Sequence, residues 1–204
     1  MGREYISKDP GFGYWRDTHL RITGEAVMSL QIRFALDWNY ATGENLFKNE
    51  AYFRTDLKKK TDVRRDKERP AWPDPELEGS QVGMQIIASG PDTREPHIRN
   101  NYLELFHKAK HHIYIQTPYF VPDDAIFSAL KMAALSGVDV RLMIPCKPDH
   151  PFVYRATCSY AGELLDYGAK VYIYTNGFLH SKGIMVDGRV CCYALPIWIS
   201  GALN

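Results

Sequence analysis

His180-Ser181-Lys182-Gly183-Ile184-Met185-Val186-Asp187 reads His-x-Lys-x4-Asp on a run whose other members are mostly apolar or small. Read as an extended segment it alternates its side chains, so His180 and Lys182 point to one side and Ile184 continues that side. Met185 and Val186 supply β-favouring packing before Asp187-Gly188 turns the chain. An imidazole beside a fixed cation suits phosphodiester chemistry: the histidine attacks phosphorus or hands over a proton, and the ammonium binds the phosphoryl oxygens. The same spacing also fits a strand that ends in a surface histidine and lysine. The rest of the chain decides between them.

Working outward, residues 170–174 read as a strand and 152–167 as a helix stopped by Gly168. Before them come a strand at 138–144, a helix at 123–136 ended by Gly137, a strand at 113–115 and a helix from about 96 to 110. A β-rich run at 82–88 precedes Gly90-Pro91. Strands alternating with helices of this length predict an α/β layered fold, a mixed, partly parallel sheet flanked by helices, with the His-x-Lys stretch on a late strand. Near the N-terminus, residues 1–13 read as a loop, 14–22 as a strand and 25–38 as a helix. Val27, Leu30, Phe34 and Trp38 recur on that helix at the spacing of one buried stripe. Residues 58–69 carry seven basic and three acidic side chains, and Pro70, Pro73 and Pro75 follow. The segment fits a solvated loop, or a basic apron worth about 1 kcal/mol per residue against anionic lipid headgroups. Three divisions result: 1–57, a strand plus helix closing a preceding half; 58–80, a basic and proline-rich linker; and 81–204, a C-terminal domain.

The 204 residues suffice for one sizeable core, and the net charge of +1 gives no overall bias toward nucleic acid. Cys146, Cys158, Cys191 and Cys192 show no Cys-x2-Cys metal pairing, which favours a reduced setting. No apolar run approaches the roughly twenty residues needed to cross a bilayer, so the residues in hand read as a soluble polypeptide. His107, His111 and His112 tempt a metal reading, but a helix ends and a strand begins between them, and no carboxylate or cysteine completes a site. His19 reads as a surface or half-buried residue. Gln116-Thr117-Pro118-Tyr119-Phe120-Val121-Pro122-Asp123 lies at the C-terminal end of a strand, where α/β sheets place ligand sites. It equally fits a turn with Asp123 or Asp124 as helix cap. Pro145-Cys146-Lys147-Pro148-Asp149-His150 follows the next strand onto the same rim.

With these residues in view, the chain resembles the phospholipase D superfamily, whose signature is His-x-Lys-x4-Asp, and within it the bacterial cardiolipin synthases. The resemblance is carried by Phe12-Gly13-Tyr14-Trp15-Arg16-Asp17-Thr18-His19, Leu36-Asp37-Trp38-Asn39, Ile115 to Asp123 and Leu179-His180-Ser181-Lys182. It implies a phospholipase D-like layered fold of which this chain is one of two halves, each half bringing one motif to a shared site. It implies a phosphatidyl transfer in which two phosphatidylglycerol molecules give cardiolipin and glycerol. One histidine forms a phosphohistidine, the other protonates the departing alcohol, and no metal or organic cofactor takes part. By motif match the catalytic residues are His180, Lys182 and Asp187, with Gln116, Pro118 and Tyr119 as substrate-binding candidates. One motif leaves open whether His180 is nucleophile or acid. The implied partners are the phospholipid, an anionic membrane surface, and either the first-motif half or a second copy of this chain; no nucleic acid is expected. The implied location is the cell membrane, cytoplasm-facing or peripheral.

Two departures stand beside the resemblance. A single motif is present, so Met1 reads as a start inside a longer gene. From about residue 191 the text leaves the family's Gly-Thr/Ser-x-Asn-Met-Asp-x-Arg-Ser-Phe, giving an aberrant tail. One coding string allowed for residues 194–204, read in a shifted frame, spells Thr-Ala-Asn-Met-Asp-Ile-Arg-Ser-Phe-Lys, which predicts a frame slip near 191–194. Such a slip would replace the strand beside the motif by a proline-interrupted apolar tail. The expected consequence is impaired turnover. Two other readings stay open: a phosphodiesterase or nuclease acting as a homodimer, and a non-catalytic remnant.

Overall fold

The computed structural model describes residues 6–49, 51–53, 82–90 and 94–193. The chain divides into two compact units, Met1–Leu20 with Ser89–Asn204, and Arg21–Ala88.

In the larger unit, α2 (His97–Lys108) leads into β2 (His112–Gln116), α3 (Asp124–Leu135), β3 (Asp139–Pro145), α4 (Pro151–Asp166) and β4 (Lys170–Tyr174). β1 (Trp15–Arg16) precedes them, and β5 (Phe178–Leu179), β6 (Gly183–Val186) and β7 (Val190–Tyr193) follow. The main sheet has the order β4-β3-β2-β6-β7. β2, β3 and β4 run parallel, and β6 and β7 run antiparallel to their neighbours. This is the mixed, partly parallel sheet that the helix–strand alternation predicts. Local chemistry sets the helix ends. The Asp123 carboxylate accepts the Ile126 amide at 2.9 Å, an N-cap that also binds Arg99. Pro151 opens α4 at a position where its missing N–H costs nothing.

One apolar core joins helices to sheet. Phe106 of α2, Ile126 and Leu130 of α3 and Ala161 and Leu164 of α4 cluster with Ile113, Ile115, Val140, Leu142 and Ile144. The alternation of β2 and β3 therefore turns every second residue to these helices and leaves Tyr114, Gln116, Arg141 and Met143 on the other face. Ile184 and Val186 join the core from β6.

The His-x-Lys stretch is not one strand. β5 pairs in parallel with β1, as a separate two-stranded ribbon, whereas β6 pairs antiparallel with β2 in the main sheet. Residues 180–182 bridge the two. Other differences follow from the same need for partners. The strand expected over 14–22 is reduced to Trp15–Arg16, the two residues that find β5. The run at 82–88 forms no strand, since no neighbour among the described residues supplies its ladder. Residues 190–193 pair with β6, so the motif keeps an adjoining strand as far as Tyr193. Residues 194–204, where the frame-slip reading falls, and the basic segment 58–80 lie outside the described residues. Residues 1–20 group with 89–204 rather than with the rest of 1–57, because the β1–β5 pairing ties them there.

The smaller unit is built on α1 (Ala26–Thr42), closed by Gly43 in the left-handed conformation. Its expected stripe is not buried: Val27, Leu30, Phe34 and Trp38 are exposed, and Ala35 is the buried residue of the helix.

The ribbon rests on a close approach at Gly177, whose φ of 106° lies outside the range comfortable for other residues. A Cβ there would collide with the Tyr14 carbonyl, which accepts the Phe178 amide at 2.9 Å. Gly177→Ala should cost at least about 2 kcal/mol. Gly168→Ala, also at positive φ but with nothing within 4 Å of the added carbon, should cost only about 1 kcal/mol. Urea denaturation of the two variants checks this difference.

Candidate active site

The backbone at residues 180–182 is held by a single acceptor. The Arg16 carbonyl takes the His180 amide at 2.8 Å and the Ser181 amide at 3.0 Å, so the chain turns away from β5 just where the motif begins. Ser181 is fully buried. Its hydroxyl bonds to the Thr18 hydroxyl and accepts from the Gln116 side-chain amide at 3.1 Å. Pinned on both sides, Ser181 sends its neighbours His180 and Lys182 to one face, as the alternation of an extended chain predicts.

Contacts on both ring nitrogens and on the ring face orient His180. Its Nδ1 lies 2.7 Å from Asp17 Oδ2. A carboxylate can only accept, so Nδ1 carries the proton and the neutral ring presents a lone pair at Nε2. Nε2 lies 2.9 Å from the Lys182 ammonium, which also donates to the His180 carbonyl at 2.7 Å. The imidazole packs on Trp15, ring centroids 5.0 Å apart, and Trp15 sits against Phe178 at 4.7 Å and Phe12 at 5.7 Å. With the side chain of His180 still 21% exposed, the ring is fixed yet reachable.

The charges follow from this placement. Burial works to raise the Asp17 carboxyl, but its bonds to His180 and the Thr18 amide, with the nearby Lys182 charge, outweigh burial and hold it below the ordinary range. Burial pulls the half-buried Lys182 below the usual lysine range, partly offset by the charges of Asp17 and Asp149. Such an ammonium is stripped of water on one side and pre-aimed at whatever oxyanion sits beside Nε2. Among the described residues no group of three or more histidines, cysteines or acids is arranged to hold a metal ion.

Asp187, grouped with His180 by the motif, stands elsewhere. Its carboxylate accepts the Lys110, His111 and His112 amides at 2.9, 2.8 and 2.9 Å, and its own amide donates to the His112 carbonyl at 3.0 Å. It thereby ties the β6–β7 turn, at a φ of 52°, to the start of β2. It fixes the strand that carries Gly183 rather than touching the imidazole. The residue that does touch it, Asp17, lies 163 positions upstream and was not singled out from the sequence, although it stands in the stretch Phe12 to His19 that carries the resemblance. Of the other candidates, Gln116 reaches the site through Ser181, Pro118 is buried in the turn after β2, and Tyr119 bonds to Asp149.

Two outcomes check this geometry. Nitrogen-15 spectra of the neutral His180 ring should show the Nδ1–H tautomer, and Asp17→Asn should give a tautomer mixture. The second concerns Asp187, whose amide bonds hold its carboxyl down at about 2. A depressed acid stabilises the fold above its unfolded pKa and loses that contribution as pH falls toward the folded one. The advantage of the wild type over Asp187→Asn should therefore be constant at neutral pH and vanish between the ordinary carboxyl range and about pH 2, as read by denaturant titrations at several pH values.

Residues 102–204 match the family model described as "Cardiolipin synthase, PLD-like domain". The chain is 48% identical over 190 residues to the cardiolipin synthase of Oceanobacillus iheyensis, covering 93% of this chain and 35% of that protein. It is 48% identical over 191 residues to that of Staphylococcus aureus, with the same shares covered. The chain thus spans about a third of the length of these curated relatives. Among solved structures, a phospholipase D family member, Nuc from Salmonella typhimurium, is 26% identical with a TM-score of 0.40, over 47% of this chain and 60% of that one.

Proposed function

The chain belongs to the family of cardiolipin synthase PLD-like domains, and from that premise we propose that it supplies one histidine–lysine half of a phosphatidyl-transfer site. The observation that carries the reading is the Asp17–His180–Lys182 row, with bonds of 2.7 and 2.9 Å: a carboxylate sets the tautomer, an imidazole presents a lone pair, and an ammonium stands where phosphoryl charge develops.

The substrate is phosphatidylglycerol presented by an anionic membrane surface. In the first step an imidazole attacks phosphorus, the bond from phosphorus to the glycerol oxygen breaks, and a second imidazole gives that oxygen its proton. In the second step a hydroxyl of another phosphatidylglycerol gives its proton back to that imidazole and attacks the phosphohistidine, releasing cardiolipin and restoring both rings. His180 serves in one of these two roles. Lys182 stabilises the phosphoryl oxygens, Asp17 steadies the imidazolium that forms in either role, and Asp187 acts at a distance by fixing β6 against β2. Gln116 acts through Ser181. The second imidazole comes from a first-motif half or from a second copy of this chain. No helix among the described residues is long and apolar enough to cross a membrane.

The test is phosphatidyl transfer on phosphatidylglycerol vesicles, with the oligomeric state followed by light scattering. A self-completed site predicts a dimer that forms cardiolipin and free glycerol. His180→Ala should lower that rate by at least about 10²-fold, the share one proton-transfer or nucleophilic group commonly supplies. A monomeric, inactive chain overturns self-completion, and a rate unchanged in His180→Ala overturns the reading as a whole.

A further inference from the structure

Trp15 lies between two rings of unlike character. Its ring centroid is 4.7 Å from that of Phe178 and 5.0 Å from that of His180, with an angle of 37° between the indole and imidazole planes. The side chain is buried and held from several directions. Its amide donates to the Ser7 hydroxyl at 2.9 Å, and its backbone pairs with Phe178 in the β1–β5 ribbon. Phe12 meets Trp15 and Phe178 edge to face, at 5.7 and 5.4 Å. Phe178 stands farther from the imidazole, at 6.3 Å, so Trp15 is the nearer of these two aromatic walls.

Filling this space needs only an apolar side chain. An indole adds a face rich in π electrons, whose negative potential attracts a cation within about 6 Å of the ring. His180 is the neighbour whose charge changes. In both roles open to it the ring turns positive: as nucleophile when Nε2 binds phosphorus while Nδ1 keeps its proton, and as acid when both nitrogens carry protons. The Lys182 ammonium, 2.9 Å from Nε2, opposes that charge by repulsion. Asp17 offsets the repulsion from Nδ1, and the indole offsets it from the ring face.

We propose that Trp15 is a positioning residue for the transfer reaction: its indole fixes the plane of the His180 ring and stabilises the positive charge which that ring acquires. The proposal rests on the reading above of His180 as an imidazole that handles phosphate. Trp15 acts through His180 and exchanges no proton. At a partly exposed site, an indole face should speed formation of the charged ring about tenfold.

Phosphoramidate tests this on the full chain without a second imidazole. Nε2 attacks its phosphorus, the phosphorus–nitrogen bond breaks, and ammonia leaves with the bonding pair, while Nδ1 keeps its proton against Asp17. Phosphohistidine formation is followed by phosphorus-31 NMR, and His180→Ala identifies the signal of position 180 among the seven histidines. Tryptophan at position 15 alone is exchanged for mono-, di- and trifluorotryptophan, which drain the indole face of electron density and nearly keep its shape. The rate should fall with each added fluorine, by about tenfold across the series, with the urea midpoint unchanged. Trp15→Leu should be at least as slow as the slowest member. A side chain that only packs gives the same rate throughout. A flat series with position 180 still phosphorylated therefore overturns the role of Trp15 and leaves the phosphate reading standing. If the wild type gains no phosphohistidine at position 180, that reading falls and the proposal falls with it.

Discussion

The bifurcated bond from the His180 and Ser181 amides to the Arg16 carbonyl is the constraint on which the candidate site depends. It occurs where the chain leaves one ribbon and enters the main sheet. β5 can pair with β1 only if Gly177 comes against Tyr14, and β6 can pair with β2 only if the chain changes direction within three residues. The imidazole and the ammonium occupy that change of direction. Their positions are therefore determined by backbone pairing on both sides, which is a stiffer support than a loop would give.

The same arrangement sets the electrostatics. Lys182 is partly withdrawn from water, which by itself weakens its hold on a proton, and two carboxylates counter that withdrawal. They do so from different places. Asp17 reaches the ammonium through the imidazole, and Asp149 reaches it from the rim. The balance leaves a cation that is poorly solvated and pre-oriented, the condition under which a fixed charge contributes most to stabilising a developing oxyanion. Asp187 belongs to another layer of the design, holding the far end of β6 through three amides.

Much of the larger unit was legible because its signals are local. Asp123 at a cap and the glycines after α3 and α4 bracket the helices, and the apolar alternation of β2 and β3 marks buried strands. The His180–Lys182 side relation was legible for the same reason, since two residues on an extended chain share a side whichever sheet they serve. What was not legible was non-local. Two-residue strands have too short a period to fix a partner, so nothing in either stretch pointed to the β1–β5 pairing or to the Asp17–His180 bond across 163 positions. Asp187 misled in the opposite way: its spacing from His180 invites a direct contact, but the intervening turn sends its carboxylate to the amides of residues 110–112. The α1 stripe and the 82–88 run show propensity without a partner among the described residues, which periodicity cannot distinguish from burial.

The central claim is that Asp17, His180 and Lys182 together make a preorganised oxyanion site in this chain. Titration with tungstate, a tetrahedral oxyanion, tests it most directly, by following the ring resonances of His180 and the side-chain resonances of Lys182 in the wild type and in Asp17→Asn. The predicted result is that both residues shift along one saturating curve in the wild type, and that the curve weakens when Asp17 is replaced. Saturation that leaves His180 and Lys182 unmoved, or that is indifferent to Asp17, would contradict the account.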